Sequence, residues 1–152
     1  MPRRQLTSQE INELLTANSA GVLATVGADG FPYAIPVNFL YRDDKIYIHG
    51  AKKGVKIDNI RQRPQVSFAT FRELGFKEMS EPCKTATFYQ SVIVKGLAAV
   101  LVDPLETGPI LEAITLKYAP TVADKPLNPQ SLAATAIIAV DILAKTGKCY
   151  ER

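Results

Sequence analysis

The chain has 152 residues, of which 47% are hydrophobic and 22% charged, and its formal net charge is +3. This composition is typical of a folded globular protein and excludes the disordered, collagen-like and coiled-coil classes. The net charge is too small to indicate nucleic-acid binding by itself, so the local clustering of charge is more informative. We expect a single domain over residues 1–152, because no linker divides the chain.

Secretory and membrane-spanning patterns are absent from the sequence. The N-terminal stretch MPRRQLTSQEI is basic but is not followed by the apolar segment of a secretory signal. The longest apolar run, LAATAIIAVDILA, contains Asp141 and is shorter than the roughly 20 residues that cross a bilayer. Cys83 and Cys149 fit no metal or redox spacing, which favours a reducing compartment. We therefore predict a cytoplasmic protein without a metal site.

The first third of the chain predicts a helix followed by antiparallel hairpins. Thr7 and Glu10 have the spacing of a capping box in front of a helical apolar pattern. Strand patterns follow at residues 20–26, 31–41 and 45–50. The turn sequences GADG and RDDK separate these strands and indicate hairpins.

Two prolines lie inside the second of these strands. Pro32 and Pro36 cannot donate a hydrogen bond to a neighbouring strand, and proline is confined to edge strands and bulges. We therefore expect part of this strand's backbone to face something other than a neighbouring strand.

The rest of the chain predicts further strands and short helices. The strands are expected at residues 65–71, 85–102 and 133–143, with a bend or bulge at Gly96. Residues 72–84 read as an irregular polar loop. A helix is expected over residues 103–118, with its regular part starting near Gly108 because Pro109 disturbs its start. Six or so mostly antiparallel strands with short helices predict a mainly β fold closed into a barrel, since closure removes exposed strand edges.

The segment HGAKKGVKIDNIRQRP, residues 49–64, concentrates positive charge at the start of a predicted helix. The helical pattern begins near Gly54, so Lys52, Lys53 and Lys56 crowd its N-terminus. The macrodipole and the unpaired N–H groups at that end favour negative charge by about 0.3–1 kcal/mol per group. This placement indicates a phosphate-sized anion among the lysines. A solvated lysine-rich turn is the alternative interpretation.

The sequence patterns identify no catalytic acid, base or nucleophile. His49 is the only histidine and stands at the end of a predicted strand. The chain shows no Ser-His-Asp set, paired carboxylates, P-loop or glycine fingerprint. An enzymatic activity would therefore depend on a bound cofactor.

Two stretches together resemble the FMN-binding split barrels of the pyridoxamine 5'-phosphate oxidase-like family. They are GVLATVGADGFPYAIPVNFLY…KIYIHGAKKGVKIDNIRQRPQVSF and FYQSVIVKGLA. Within that family the chain is most similar to the branch containing 5-nitroimidazole resistance proteins. The resemblance implies a six-stranded antiparallel split β-barrel of the FMN-binding type, with flanking helices. It also implies a homodimer that holds FMN in a groove built from both subunits.

The resemblance further implies which residues contact FMN. One stretch would run along the isoalloxazine ring and offer backbone groups to the polar edge of that ring; it consists of Pro36, Val37 and Asn38. The segment that approaches the ribityl phosphate contains His49, Lys52, Lys53, Val55 and Lys56. A second binding stretch is matched by Ser91 and Val92. By residue type alone, Ser91 would be an ordinary strand serine, and Val37 and Val92 would be core valines.

Val55 departs from the family's pattern. Close relatives often read Gly-His-Lys where this chain reads Gly54-Val55-Lys56. Valine can neither donate a proton nor pair with an anion, so the resemblance supports the pocket more strongly than it supports nitroimidazole reduction. By its type, Val55 would also suit packing beneath the helix.

Three functions follow from these observations. The first is an FMN-dependent oxidoreductase that passes hydride or electrons from a reduced nicotinamide to a small organic acceptor. The second is a non-catalytic protein that stores or senses a flavin or haem. The third, a nucleic-acid-binding barrel using Phe68 and Phe71, ranks last because the chain has no tryptophan and a modest charge. We therefore expect a small-molecule substrate, and neither nucleic acid nor membrane as a partner.

Overall fold

The structure is a computed structural model that describes residues 3–151. Within these residues the chain forms eight β-strands and four α-helices. The strands are β1 (Arg4–Gln5), β2 (Ala20–Val26), β3 (Pro32–Asn38), β4 (Leu40–Arg42), β5 (Lys45–Ala51), β6 (Gln65–Lys77), β7 (Ala86–Leu101) and β8 (Thr135–Tyr150). The helices are α1 (Ser8–Ala17), α2 (Val55–Gln62), α3 (Pro104–Tyr118) and α4 (Pro129–Ala134), with short 3₁₀ turns at Pro82–Lys84 and Pro120–Val122.

All eight strands belong to one antiparallel sheet that curls into a split barrel. The strand order is β3-β2-β6-β7-β8-β5-β4, and β1 pairs with β8. The two ends of this order, β3 and β4, are consecutive in the chain and are separated only by Phe39. Leu40 pairs with Tyr47, and continuing that register places Asn38 opposite His49, so β3 returns beside β5. This arrangement confirms the predicted mainly β split barrel with flanking helices.

The register also shows how strongly the strands are staggered. From Asn38, the cross-strand partners on β2 and β6 lead to Ser91 on β7. From His49, the partner on β8 leads instead to Leu101, at the other end of β7. Ten residues of strand span about 33 Å. Two residues that lie side by side at the split are therefore connected, in opposite directions around the sheet, to positions ten residues apart on β7, as barrel closure with shear requires.

Large apolar side chains fill the barrel. Phe39 and Phe68 make an edge-to-face contact with ring centroids 4.7 Å apart. The other large side chains that are almost completely buried are Leu15, Leu23, Ile46, Ile48, Ile57, Ile137, Ile138, Val92, Val94 and Val140. Because α1 and α2 contribute to this set, these helices cover the barrel and complete its core. None of the helices within residues 3–151 combines the length and the apolar character that crossing a bilayer requires.

Two predicted strand boundaries are corrected by the structure. The strand expected at 31–41 is broken at Phe39, and the two-residue β1 is added, which brings the strand count to eight instead of six. The polar loop expected from Arg72 begins later, because β6 continues to Lys77 paired with the start of β7. Most side chains of this extension are exposed, so the alternation of buried and exposed residues that identifies a strand is missing there.

The helical boundaries near the C-terminus also differ from expectation. The helix predicted over residues 103–118 is confirmed as α3, but it is regular from Pro104 and not only from near Gly108. Asp103 caps it by accepting the Leu105 N–H at 3.0 Å, and proline suits the first helical position. The final strand begins at Thr135, after the short helix α4 capped by Asn128. It continues to the end of the described chain as the partner of β7.

Gly96 forms the bulge that the sequence predicts. The β7–β8 register shifts between Lys95 and Gly96. A Cβ at Gly96 would lie 2.5 Å from the Asp141 carbonyl oxygen and 2.6 Å from Cγ1 of Val140. Only glycine therefore fits this close approach of two strands.

We expect Gly96→Ala to lower the free energy of unfolding by about 1–3 kcal/mol, because β8 must move away from the added methyl group. Gly50→Ala is the matched control, because Gly50 also lies in a strand and a Cβ there would make only ordinary contacts, 3.5 and 3.6 Å from atoms of the Lys56 side chain. That variant should keep the wild-type stability to within about 1 kcal/mol. Urea unfolding measures both changes, and equal stability of the two variants would contradict the close packing at the bulge.

The capping box at the start of α1 is confirmed and is extended by an arginine. The Thr7 hydroxyl accepts the Glu10 N–H at 3.2 Å, and the Glu10 carboxylate accepts the Thr7 N–H at 2.7 Å. Arg4 donates to both Glu10 carboxylate oxygens, at 2.6 and 2.9 Å. These hydrogen bonds lower the pKa of Glu10 from 4.5 to about 2, and the bonding to Arg4 has the largest effect.

The lowered pKa of Glu10 predicts a pH-dependent contribution to stability. The contribution should be complete above about pH 4.5 and should be lost as the pH falls towards about 2, because protonation then breaks the bonds to Arg4. Across this pH range, the free energy of unfolding should fall more steeply with decreasing pH in the wild type than in Glu10→Gln. Arg4→Met should flatten the curve similarly. Identical pH dependence of the wild type and Glu10→Gln would refute the role of this ion pair.

Candidate functional site

The helix α2 begins with free backbone N–H groups. Gly54 is its N-cap and accepts the Asp58 N–H at 3.0 Å, but no side chain within residues 3–151 caps the first turn. The helix is anchored by a buried hydrogen bond of 2.9 Å from the Asn59 amide to the Thr25 hydroxyl. Its N-terminus is therefore held in place and remains available to an anion.

Three lysines surround this N-terminus without acidic partners. Across residues 3–151, no carboxylate lies within 4.0 Å of the ammonium groups of Lys52, Lys53 or Lys56. Lys56 folds back over Gly50, with its Nζ 3.5 Å from the position that a Cβ on this glycine would occupy. Three cations beside the positive end of a helix repel one another and the dipole, so the arrangement favours binding of an anion such as a phosphate.

Val55 occupies the first turn of α2 and is 52% exposed. The expectation that it could pack beneath the helix is therefore wrong. The side chains that pack beneath α2 are those of Ile57 and Ile60, which lie on its opposite, buried face. Val55 instead presents an aliphatic side chain to solvent beside the lysines.

The edge strand β3 supplies a second part of the candidate site. Pro36 and Asn38 are exposed, whereas Val37 turns inward and packs against the core. Because β3 ends the sheet, its prolines interrupt no strand pairing on that side, as the sequence predicts. The side chain of Asn38 is itself held, since its amide donates to the Ser19 carbonyl at 2.9 Å.

His49 connects these two parts. It is exposed near the end of β5, opposite Asn38 in the extended register, and the chain passes from there to Lys52 and Lys53. The chain therefore brings together the end of β3, the end of β5 and the start of α2. A flat ligand along β3 and a phosphate at α2 would be neighbours in this arrangement.

Ser91 and Val92 lie on β7. They are ten and nine residues from Leu101, the position to which the strand register leads from His49. The Ser91 hydroxyl is 3.5 Å from the Lys148 carbonyl oxygen, and the side chain of Val92 is buried in the core. Their participation in the same site as the lysines stays a prediction.

The structure adds two residues that the sequence did not single out as site candidates. At the end of α3, Lys117 donates to the carbonyls of Asn18 at 2.7 Å and Phe39 at 2.9 Å. The Tyr118 hydroxyl accepts the Phe39 N–H at 2.9 Å. In the sequence, Tyr118 is only one more apolar position of a helix, and no local pattern shows that the chain would bring Phe39 to it.

Burial changes the acid–base properties of this pair. Removal from water lowers the pKa of Lys117, and the described residues place no carboxylate within 4.0 Å of its ammonium group. Burial likewise raises the pKa of Tyr118. A partly desolvated cation therefore lies beside the break between β3 and β4.

Among the described residues, no three His, Cys, Asp or Glu side chains could together hold a metal ion.

An apolar surface lies on the outer face of the barrel. On the outer face, a groove of about 420 Å³ runs beside the Gly96 bulge and is lined by Pro32, Val66 and Leu143 among others. Exposed apolar side chains of the four strands around it include Val22, Phe71, Ile93, Leu97 and Leu143. Exposed apolar side chains clustered in this way mark an interaction surface.

Gly54 should be the glycine on which the α2 N-terminus depends. Its φ of 140° lies in a region open essentially to glycine alone. Gly54→Ala should therefore cost about 1–3 kcal/mol of unfolding free energy and shift the start of α2. Gly50→Ala is the control, since its Cβ would make ordinary contact with Lys56. Thermal unfolding compares the two, and an unchanged midpoint for Gly54→Ala would contradict the strained N-cap.

Comparison with solved structures shows where this fold recurs. A candidate 5-nitroimidazole antibiotic resistance protein from Bacteroides thetaiotaomicron superposes with a TM-score of 0.78 at 21% identity, covering 97% of this chain and 89% of the other. An FAD and haem binding protein from Mycobacterium smegmatis gives 0.87 at 20% identity, covering 99% and 74%. An FAD-binding protein from Mesorhizobium loti gives 0.71 at 23% identity, covering 99% and 100%.

Sequence comparison supplies the family. A search of curated proteins found no match to this chain. The sequence model of pyridoxamine 5'-phosphate oxidase matches residues 7–149, which is nearly the whole chain. The matched region contains β3, β5, the lysines of α2 and most of the long strands β7 and β8. The chain therefore belongs to the pyridoxamine 5'-phosphate oxidase family.

Proposed function

We propose that this protein is a cytoplasmic, homodimeric flavoprotein that binds FMN and passes hydride or electrons from a reduced nicotinamide to a small organic acceptor. The acceptor chemistry would be like that of pyridoxamine 5'-phosphate oxidases or nitroimidazole reductases. The observation that carries the proposal is the set of uncompensated lysines at the uncapped start of α2, next to the free edge of β3. Family membership and the flavin-binding proteins that share the fold support the same cofactor.

The residues present fit a flavin phosphate. Backbone N–H groups, the helix dipole and the ammonium groups of Lys52, Lys53 and Lys56 converge on one region. Gly50 leaves room for Lys56 to lie over the end of β5. A phosphate there would replace the missing carboxylate partners and relieve the repulsion among the lysines.

The edge of β3 fits the ring of the same cofactor. The backbone of Pro36, Val37 and Asn38 pairs with β2 on one side and forms no strand pairing on the other, so its polar groups there can meet the polar edge of a flat heterocycle. Val37 would contribute through its backbone, because its side chain packs against the core. His49 is placed to contact the cofactor between ring and phosphate.

Within this proposal the bound flavin would supply the redox chemistry, and the chain would bind, orient and enclose it. The described part of the candidate site offers no clear proton donor apart from His49, since Val55 presents only methyl groups. Proton exchange with solvent at the open edge of β3 is compatible with this arrangement. The free thiols of Cys83 and Cys149 support the cytoplasmic location.

A second protomer would complete the site. Ser91 and Val92 lie ten and nine residues along β7 from Leu101, the position to which the strand register leads from His49, and we assign them to the ligand held by the lysines of the other copy. The apolar outer face around Ile93 and Leu143 is the surface we assign to that contact. Homodimers of this type bury their apolar patches against each other around a twofold axis.

The second candidate function is a protein that holds a flavin or haem without turnover. Exposed Val55 favours it, because the position beside the anion site carries no acid–base group. Bleaching of a bound flavin by NADH or NADPH, followed by reoxidation with an acceptor, would distinguish the oxidoreductase from the holder.

Removing the lysine charge tests the phosphate assignment. Lys53→Glu with Lys56→Glu should weaken FMN binding on the order of 100-fold or more, because two charge-assisted contacts are lost and repulsion replaces them. The fold should persist, since acidic residues suit a helix N-terminus. Isothermal titration of flavin-free protein with FMN measures the effect.

The matched control is Arg61→Glu with Arg63→Glu, which makes the same charge change at exposed positions at the far end of α2. This control should bind FMN within a few-fold of the wild type. Equal affinities of the two double variants would refute the phosphate site. Failure of the wild-type protein to bind FMN at all would refute the proposed function.

A further inference from the structure

We infer that Lys117 and Tyr118 are positioning residues for the flavin: they fix the break between β3 and β4, and Lys117 places a positive charge behind Asn38 that favours the reduced cofactor. This inference rests on the proposed function. It assigns a role to the end of α3, a helix outside the residues that the resemblance connects with FMN. The argument depends on the hydrogen bonds, the burial and the charge at Phe39.

Side chains of α3 hold the backbone of Phe39, which lies between β3 and β4 and belongs to neither strand. Its N–H donates to the Tyr118 hydroxyl at 2.9 Å. Its carbonyl accepts from the Lys117 ammonium at 2.9 Å and lies 2.7 Å from the Tyr118 hydroxyl. Two consecutive residues of α3 therefore satisfy both polar groups of the residue at the break, which keeps β3 and β4 apart.

The same pair reaches across to the turn between α1 and β2. Lys117 donates to the Asn18 carbonyl at 2.7 Å, and the Tyr118 hydroxyl lies 2.6 Å from the Ser19 carbonyl. That Ser19 carbonyl also accepts the side-chain amide of Asn38. The side chain of Asn38 is thus anchored, and its backbone is fixed at the end of the β3 edge where the flavin ring is proposed to lie.

The charge of Lys117 is not neutralised by a neighbouring acid. Its ammonium lies 4.4 Å from the centroid of the Phe39 ring and 5.3 Å from that of Tyr118, and both are favourable but uncharged partners. Among residues 3–151, no carboxylate lies within 4.0 Å of this ammonium group. A reduced flavin gains negative charge, so a partly desolvated cation nearby stabilises the reduced form more than the oxidised form.

The charge and the hydrogen bonds can be separated by substitution. Lys117→Gln retains N–H donors but removes the charge, and Lys117→Arg retains both. Lys125→Gln, at an exposed position beyond the end of α3, is the matched control. Tyr118→Phe removes the acceptor of the Phe39 N–H without altering charge.

The first measurement uses flavin-free protein and does not depend on the cofactor. Amide hydrogen exchange at Phe39 should be at least about tenfold faster in Tyr118→Phe than in the wild type, because the N–H loses its partner. The control Lys125→Gln should exchange at the wild-type rate. Unchanged exchange at Phe39 in folded Tyr118→Phe would overturn the clamp, whether or not the protein binds FMN.

The second measurement is the midpoint potential of bound FMN. Lys117→Gln should weaken binding of the reduced flavin about tenfold more than that of the oxidised flavin, which lowers a two-electron potential by about 30 mV. Lys117→Arg and Lys125→Gln should keep the wild-type potential. FMN-loaded Lys117→Gln with the wild-type potential would overturn the inference and leave the proposed function standing. Wild-type protein that binds no FMN would overturn both.

Discussion

The architecture depends on a single interruption of the sheet at Phe39. Had the chain continued straight through this residue, one strand would pair with β2 on one side and β5 on the other, and the barrel would have no free edge. Instead, the backbone of Phe39 turns to side chains of α3, and its ring fills the core against Phe68. The interruption therefore satisfies its own polar groups, anchors a helix and exposes the edge of β3 in one step.

The candidate site arises where this free edge meets a concentration of positive charge. β5 runs beside the end of β3 and then leads through His49 into the lysines of α2. Backbone polar groups suit the heterocycle of a flavin, whereas the lysines and the helix N-terminus suit its phosphate. Because the strand register fixes both parts on one side of the barrel, their spacing is a property of the fold and not of a mobile loop.

The structural features that were predicted correctly are those that depend on residues close together in the sequence. The capping box of Thr7 and Glu10, the helix after Gly54 and the bulge at Gly96 were all recognisable, because each depends on residues close in sequence or on one unusual residue type. The length of β6, the start of α3 and the clamp formed by Lys117 were not, since they depend on pairing or burial across distant parts of the chain. The role that the resemblance assigns to Ser91 in the same site as the lysines stays a prediction.

Val55 shows that chemistry and stability are independent at one position of the site. Its side chain packs beneath nothing, while Ile57 and Ile60 on the other face of α2 secure the helix to the barrel. A polar residue could therefore stand at position 55 with little effect on the fold, because exposed sites tolerate substitution. A barrel built in this way can exchange the group beside its proposed anion site, and thereby acquire or lose a proton donor, without repacking its core.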